Sequence, residues 1–126
     1  MKRLSLMMIG LLFATSSAFA LDGLPAAKVR DLMVDKTIEG FNEVRSMDYT
    51  VYFFPEGKIA LVTAKGKRFG NWRVADDGHF CTAFPTEPEL CTMITAHGEN
   101  AFRRVKDDGT PTHTLKKFTK GNVNNY

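Results

Sequence analysis

The segment HFCTAFPTEPELCT, residues His79–Thr92, holds both cysteines of the chain and decides the fold. Two β-prone runs flank the turn-forming stretch PTEPE at positions 85–89, whose two prolines and charges suit a connection between strands. Cys81 and Cys91 are placed symmetrically about Thr86, inside that stretch. The segment therefore predicts a β-hairpin in which the two cysteines lie opposite each other.

The first twenty residues have the pattern of a signal peptide. Lys2 and Arg3 precede the apolar run 4–14, and the sequence Ala-Phe-Ala at 18–20 is typical of a cleavage site. The apolar run is shorter than the roughly 20 residues that cross a bilayer, although an uncleaved membrane anchor is the alternative. We expect a signal peptide at 1–20, a single mature domain at 21–126, and a periplasmic or secreted location.

An exported chain meets an oxidising compartment, where disulfides form and persist. Two cysteines are too few for a structural zinc site, which takes four Cys or His ligands, and no C-x-x-C redox motif is present. The sequence therefore predicts a Cys81–Cys91 disulfide. A reactive thiol or an intermolecular bridge is the alternative.

Turn signals recur about every ten residues after Thr37, and β-prone runs fill the intervals. The predicted fold is mainly β: an antiparallel meander of about eight strands that closes into a small barrel, because closure removes open sheet edges. A β-sandwich is the alternative. The strands are predicted at 37–41, 48–54, 58–63, 67–74, 79–84, 90–95, 100–105 and 112–119.

One helix is predicted at about 24–36, with Asp22 or Gly23 as its cap and Pro25 in its first turn. It would close the end of the barrel or lie across a sheet. Its apolar stripe is predicted to contain Val29, Leu32, Met33 and Lys36.

Basic residues alternate with apolar ones along several of these strands, which indicates a solvated outer face. We therefore expect no nucleic-acid partner and no stable membrane insertion after signal cleavage. The residues assigned to this solvated face are Lys65, Lys67, Arg68, Arg73, Arg103, Arg104, Lys106, Lys116, Lys117 and Lys120.

Four aromatic residues are the candidate ligand-binding set: Phe53, Trp72, Phe80 and Phe84. An eight-stranded barrel is only just wide enough for a packed core or one small ligand. The same aromatic side chains would fill such a core or line a cavity in it, and a surface patch for a partner protein is a third interpretation.

The sequence lacks the patterns of common catalytic sites. It has no G-x-S-x-G, P-loop or H-E-x-x-H motif, and Ser46 is the only serine after position 20. The run Asp76–His79 resembles an acid/base or metal site, but it is interpreted as a turn because 107–109 repeats Asp-Asp-Gly without a histidine. We predict no catalytic residue, no metal and no cofactor, and hence a protein that is not an enzyme.

The order G-N-W at 70–72, D-G at 77–78, the two cysteines and G-N-x-N at 121–124 resembles an uncharacterised family of small exported bacterial proteins. The resemblance implies an all-β, disulfide-bonded fold and assigns no activity. The architecture also looks like that of the calycins, which are barrels for small apolar ligands. The expected function is binding of a small apolar ligand or lipid. The alternative is a periplasmic protein-interaction module, such as an inhibitor or an envelope accessory factor.

Overall fold

The computed structural model describes residues 23–126, so the predicted signal peptide at 1–20 lies outside the described residues. One helix and eight strands follow in chain order. They are α1 (Ala26–Met33), β1 (Lys36–Asn42), β2 (Met47–Phe53), β3 (Lys58–Thr63), β4 (Gly66–Val74), β5 (Phe80–Ala83), β6 (Leu90–Ala96), β7 (Phe102–Val105) and β8 (Pro111–Lys120).

The eight strands form a closed antiparallel barrel. Each strand pairs with its neighbours in sequence, and β8 pairs back onto β1, so that none of these eight strands is left at an edge. The predicted meander and its closure are confirmed, and the sandwich alternative is wrong. Tight turns make this order the simplest one, because successive antiparallel strands need only short connections.

The β5–β6 hairpin has the predicted register. Cys81 lies opposite Cys91, with Phe80 opposite Thr92 on one side and Thr82 opposite Leu90 on the other. A disulfide joins the two cysteines. Cys81 also faces Arg73 of β4 across the sheet, so the disulfide lies on the outer face of the barrel.

The last strand carries two β-bulges that change which side chains face inward. One extra residue, Thr112, lies between the Arg104–His113 and Val105–Pro111 pairs, and a second, Lys116, lies between the partners of Glu39 and Gly40. A bulge reorients the side chains next to it. The neighbouring residues Thr112 and His113 consequently both face the interior of the barrel.

The helix is shorter than predicted and closes one end of the barrel. It begins after Pro25, an extended N-cap without a side-chain bond, and it ends at Met33 because Val34 is already extended and Asp35 takes a left-handed conformation. Capping by Gly23 and the inclusion of Lys36 were therefore wrong predictions, and Asp22, the other predicted cap, lies outside the described residues. Val29 and Met33 are fully buried against the inner side chains of the strands. Within residues 23–126, no helix has the length and apolar character needed to cross a membrane.

Candidate functional site

The barrel contains a cavity of about 360 Å³ at the end opposite α1. Its mouth is formed by the β1–β2, β3–β4, β5–β6 and β7–β8 turns, which contribute Val44, Lys65, Glu87 and Lys106. The volume lies within the range of about 300–1,000 Å³ that is usual for small-ligand sites. The inner wall is mostly apolar and includes Val51, Ile59, Leu61, Leu90 and Leu115.

Three of the four candidate aromatic residues line this cavity: Phe53, Phe80 and Phe84. The rings of Phe53 and Phe80 meet edge to face with centroids 5.3 Å apart. Trp72 instead packs behind them in the core, 5.6 Å from Phe53, and its Nε1 donates a hydrogen bond of 2.9 Å to the carbonyl of Phe54. Trp72 therefore supports the wall without forming part of it.

Arg104 lies inside the barrel, so its assignment to the solvated outer face was wrong. Only 5% of the residue is exposed, and it lines the cavity. Its guanidinium lies 4.6 Å from the centre of the Phe80 ring. Burial lowers the pKa of Arg104 to about 10, which leaves the side chain protonated at neutral pH.

The guanidinium of Arg104 is held by four oxygen acceptors of the β5–β6 hairpin. Nε donates to the hydroxyl of Thr92 at 2.8 Å, and Nη1 donates to the hydroxyl of Thr82 at 2.9 Å. Nη2 donates to the carbonyls of Phe80 at 3.1 Å and Leu90 at 2.9 Å. All four acceptors are uncharged, so they fix the guanidinium without neutralising its charge.

His113 faces Arg104 in the ladder and also lines the cavity. The Oδ1 of Asn42 accepts from the backbone amides of Val44 and Arg45, so its Nδ2 must face His113 Nε2, at 3.4 Å. Nε2 is then an acceptor, and Nδ1 carries the proton toward Thr112 Oγ1, 2.8 Å away. Burial, together with the positive charge of Arg104, lowers the pKa of His113 to about 3.

Tyr49 completes the polar part of the wall. Its ring meets that of His113 edge to face at 5.6 Å, and its hydroxyl donates to the carbonyl of Thr114 at 3.2 Å. Burial raises the pKa of the phenol well above its usual value, although the charge of Arg104 opposes this. The cavity is thus lined at this side by one cation and two uncharged polar rings.

Gly40 provides the space that the Tyr49 side chain occupies. A Cβ at this position would meet the carbonyl of Thr114 and would lie 2.5 Å from the Tyr49 hydroxyl. We expect Gly40→Ala to lower the free energy of unfolding by about 1–3 kcal/mol, the usual cost of overpacking. Urea denaturation measures this change. Glu39→Ala, at an exposed neighbour on the same strand, should change stability by less than about 0.5 kcal/mol, and an equal loss in both variants would contradict the prediction.

The mouth of the cavity is basic. Arg45, Lys65, Arg68 and Lys106 lie there with one acidic residue, Glu87, which is paired with Arg68 at 2.9 Å. With Arg104 included, residues 23–126 give the cavity walls five basic side chains against this single carboxylate. Such an excess attracts anions toward the mouth.

The run Asp76–His79 forms a turn, as predicted, and this turn contacts the second Asp-Asp-Gly turn. His79 Nε2 lies 2.7 Å from Asp107 Oδ1, and Nδ1 lies 2.9 Å from Asp77 Oδ1. Asp107 and Asp77 raise the pKa of His79 above its usual value. The cluster lies apart from the cavity lining and ties the β4–β5 and β7–β8 turns together.

The only group of three metal-type ligands found among residues 23–126 is Cys81, Glu89 and Cys91. The disulfide occupies both thiols, and both oxygens of Glu89 accept hydrogen bonds from Arg73, at 2.6 and 3.0 Å. Because a thiol binds a metal as its thiolate, this group has no free sulfur ligand to offer. The disulfide and the Arg73–Glu89 pair instead stabilise the β5–β6 hairpin.

Sequence reasoning missed Arg104 and His113 as cavity residues. The adjacent arginines at 103 and 104 carry a signal for the first, because neighbouring side chains on a strand point to opposite faces. Comparison with known proteins found no matching family model, no matching curated protein and no matching solved structure. The resemblance to small exported bacterial proteins stays a prediction.

Proposed function

We propose that this chain is an exported, non-enzymatic protein that binds a small apolar ligand or lipid inside its barrel. The observation that carries this proposal is the cavity of about 360 Å³, with an apolar inner wall and a mouth at the end opposite α1. Ligand sites are commonly concave and mostly apolar, with a few polar groups that orient the ligand. Arg104, His113 and Tyr49 are groups of that kind.

The Cys81–Cys91 disulfide supports export, because such bonds persist in oxidising compartments such as the periplasm and the extracellular space. A periplasmic or secreted location also agrees with the signal peptide predicted at 1–20. Mass spectrometry of the protein expressed with its natural N-terminus tests both features, since cleavage after Ala20 and oxidation of the two cysteines each change the mass.

Binding is tested with phenylnaphthylamine, a neutral fluorescent probe that brightens in apolar surroundings. Leu61 lines the cavity, whereas Val62, the next residue of the same strand, points to the other face. We expect Leu61→Trp to narrow the cavity and weaken probe binding at least about tenfold, which corresponds to about 1.4 kcal/mol. Val62→Trp should bind the probe as the wild type does.

Both variants need the wild-type circular dichroism spectrum and thermal midpoint for this comparison to hold. Equal probe binding in both would place the site outside the barrel. A wild-type protein that binds no apolar probe would contradict the proposal and favour the alternative of a protein-interaction module.

A further inference from the structure

The charge of Arg104 has no counter-ion among residues 23–126. Within residues 23–126, no carboxylate lies within ion-pair distance of its guanidinium, and its four hydrogen bonds all go to uncharged oxygens. A guanidinium has five N–H groups, so one N–H on Nη1 has no acceptor among these residues. The side chain that carries this free donor lines the cavity.

A buried charge without a partner is costly, because removal from water is repaid only by an opposite charge and good hydrogen bonds. The four acceptors from Thr82, Thr92, Phe80 and Leu90 show that the hairpin holds the guanidinium in one fixed place. A fold that needed only to fill this space would do so more cheaply with an apolar side chain. A fixed, unneutralised cation beside a cavity is the arrangement that recognises an anion.

The rest of the cavity agrees with this electrostatic character. His113 is uncharged, and the hydroxyl of Tyr49 already donates its hydrogen to the carbonyl of Thr114. Neither side chain therefore supplies a second charge that would bind an anion in place of Arg104. The one carboxylate in the lining, that of Glu87, is paired with Arg68 at the mouth. Most of the remaining inner wall is apolar, which suits a tail rather than a fully polar ion.

We propose that the ligand is a single-tailed amphipathic acid, whose carboxylate or phosphate headgroup pairs with Arg104 while its apolar tail lies along the cavity. This inference rests on the proposed function, since it names the class of ligand for the same cavity. The tail would contact Val51, Phe53 and Leu61, and the basic residues at the mouth would draw the acid group inward.

The first test compares ligands that differ only in their headgroup, measured calorimetrically on the wild-type protein at neutral pH. We expect decanoate or decyl phosphate to bind roughly 10- to 100-fold more tightly than decanol, the range for one hydrogen bond to a charged group. Decylamine should bind most weakly. Whichever of the two acids binds more tightly identifies the headgroup.

The second test assigns the preference to Arg104. In Arg104→Met, decanoate should bind no more tightly than decanol. Arg103→Met is the matched control, because it makes the same change one residue earlier on the opposite face of β7, outside the cavity lining. Arg103→Met should keep the wild-type preference for decanoate.

The outcomes separate this inference from the proposed function. Binding of decanol with no preference for either acid would overturn the inference and leave the cavity function standing. Failure of all four ligands to bind would overturn both. An Arg104→Met protein that keeps its preference for decanoate would also overturn the inference and assign the effect to the mouth. If Arg104→Met does not fold, the ligand series on the wild type still tests the inference, because the absence of any preference for an acid headgroup would overturn it.

Discussion

Acidification from pH 6.5 to pH 4.5 is expected to lower the free energy of unfolding by about 2–3 kcal/mol through His113 alone. The pKa of this histidine is about 3 in the folded protein and has its ordinary value of 6.5 in the unfolded chain. Between these values the unfolded chain binds a proton that the folded protein excludes. Stability therefore falls as the pH falls through this window.

The structure supplies two reasons why folded His113 resists protonation. The imidazole lies in the cavity wall between Tyr49 and the Asn42 amide, where a charge loses its hydration. Protonation of Nε2 would also set a donor against the Nδ2 donor of Asn42, and it would add a second cation beside Arg104.

The other groups with shifted pKa values titrate outside the range from pH 4.5 to pH 6.5. Asp107 and Asp77 raise the pKa of His79, so its contribution is complete below pH 6.5 and is lost only as the pH rises above that value. Asp77, Asp108 and Glu89 have lowered pKa values, so the stability they contribute is lost below their ordinary values of 3.8 to 4.5. The slope of the unfolding free energy against pH between pH 6.5 and pH 4.5 therefore reports the protonation of His113.

Urea denaturation across this pH range measures the slope directly. His113→Gln should flatten it, because glutamine does not titrate, whereas His97→Gln, at an exposed position in the β6–β7 turn, should leave it as in the wild type. If His113→Gln kept the wild-type slope, another group would have to exclude the proton.

The barrel was predictable because its determinants are local. The turns at 75–79 and 106–110 each contain Asp-Asp-Gly, and both glycines adopt a φ of +92°, which other residues rarely take. Symmetry about Thr86 likewise fixed the register of the β5–β6 hairpin, because a hairpin pairs residues equally distant from its turn. These features depend on a few neighbouring residues, which the sequence shows directly.

The polar side of the cavity was not predictable in the same way. Alternation shows that one of Arg103 and Arg104 faces inward, but the choice between them depends on the register of a strand only four residues long. His113 and Thr112 both line the cavity because a bulge in β8 interrupts the alternation. A bulge is set by long-range pairing, so the local sequence gives no sign of it.

Removal of the disulfide, in a Cys81→Ala/Cys91→Ala variant, is expected to lower the free energy of unfolding by about 2.8 kcal/mol. This value comes from the chain-entropy model for a closed loop of roughly 11 residues. Without the bond, the unfolded chain regains the conformational entropy that the closed loop had removed. The loss is large for a domain of this size, because such domains are stabilised by only about 5–15 kcal/mol. Urea denaturation under oxidising conditions measures the difference.

The effect should extend to the cavity, because all four acceptors of Arg104 belong to the hairpin that the disulfide closes. Faster hydrogen exchange is therefore expected at the amides of β5, which has only four residues. Reduction of the wild type should reproduce the stability of the double variant, and the variant itself should not respond to reductant. Equal stability of the oxidised wild type and the variant would show that the β5–β6 ladder holds the four acceptors of Arg104 in place without the covalent bond.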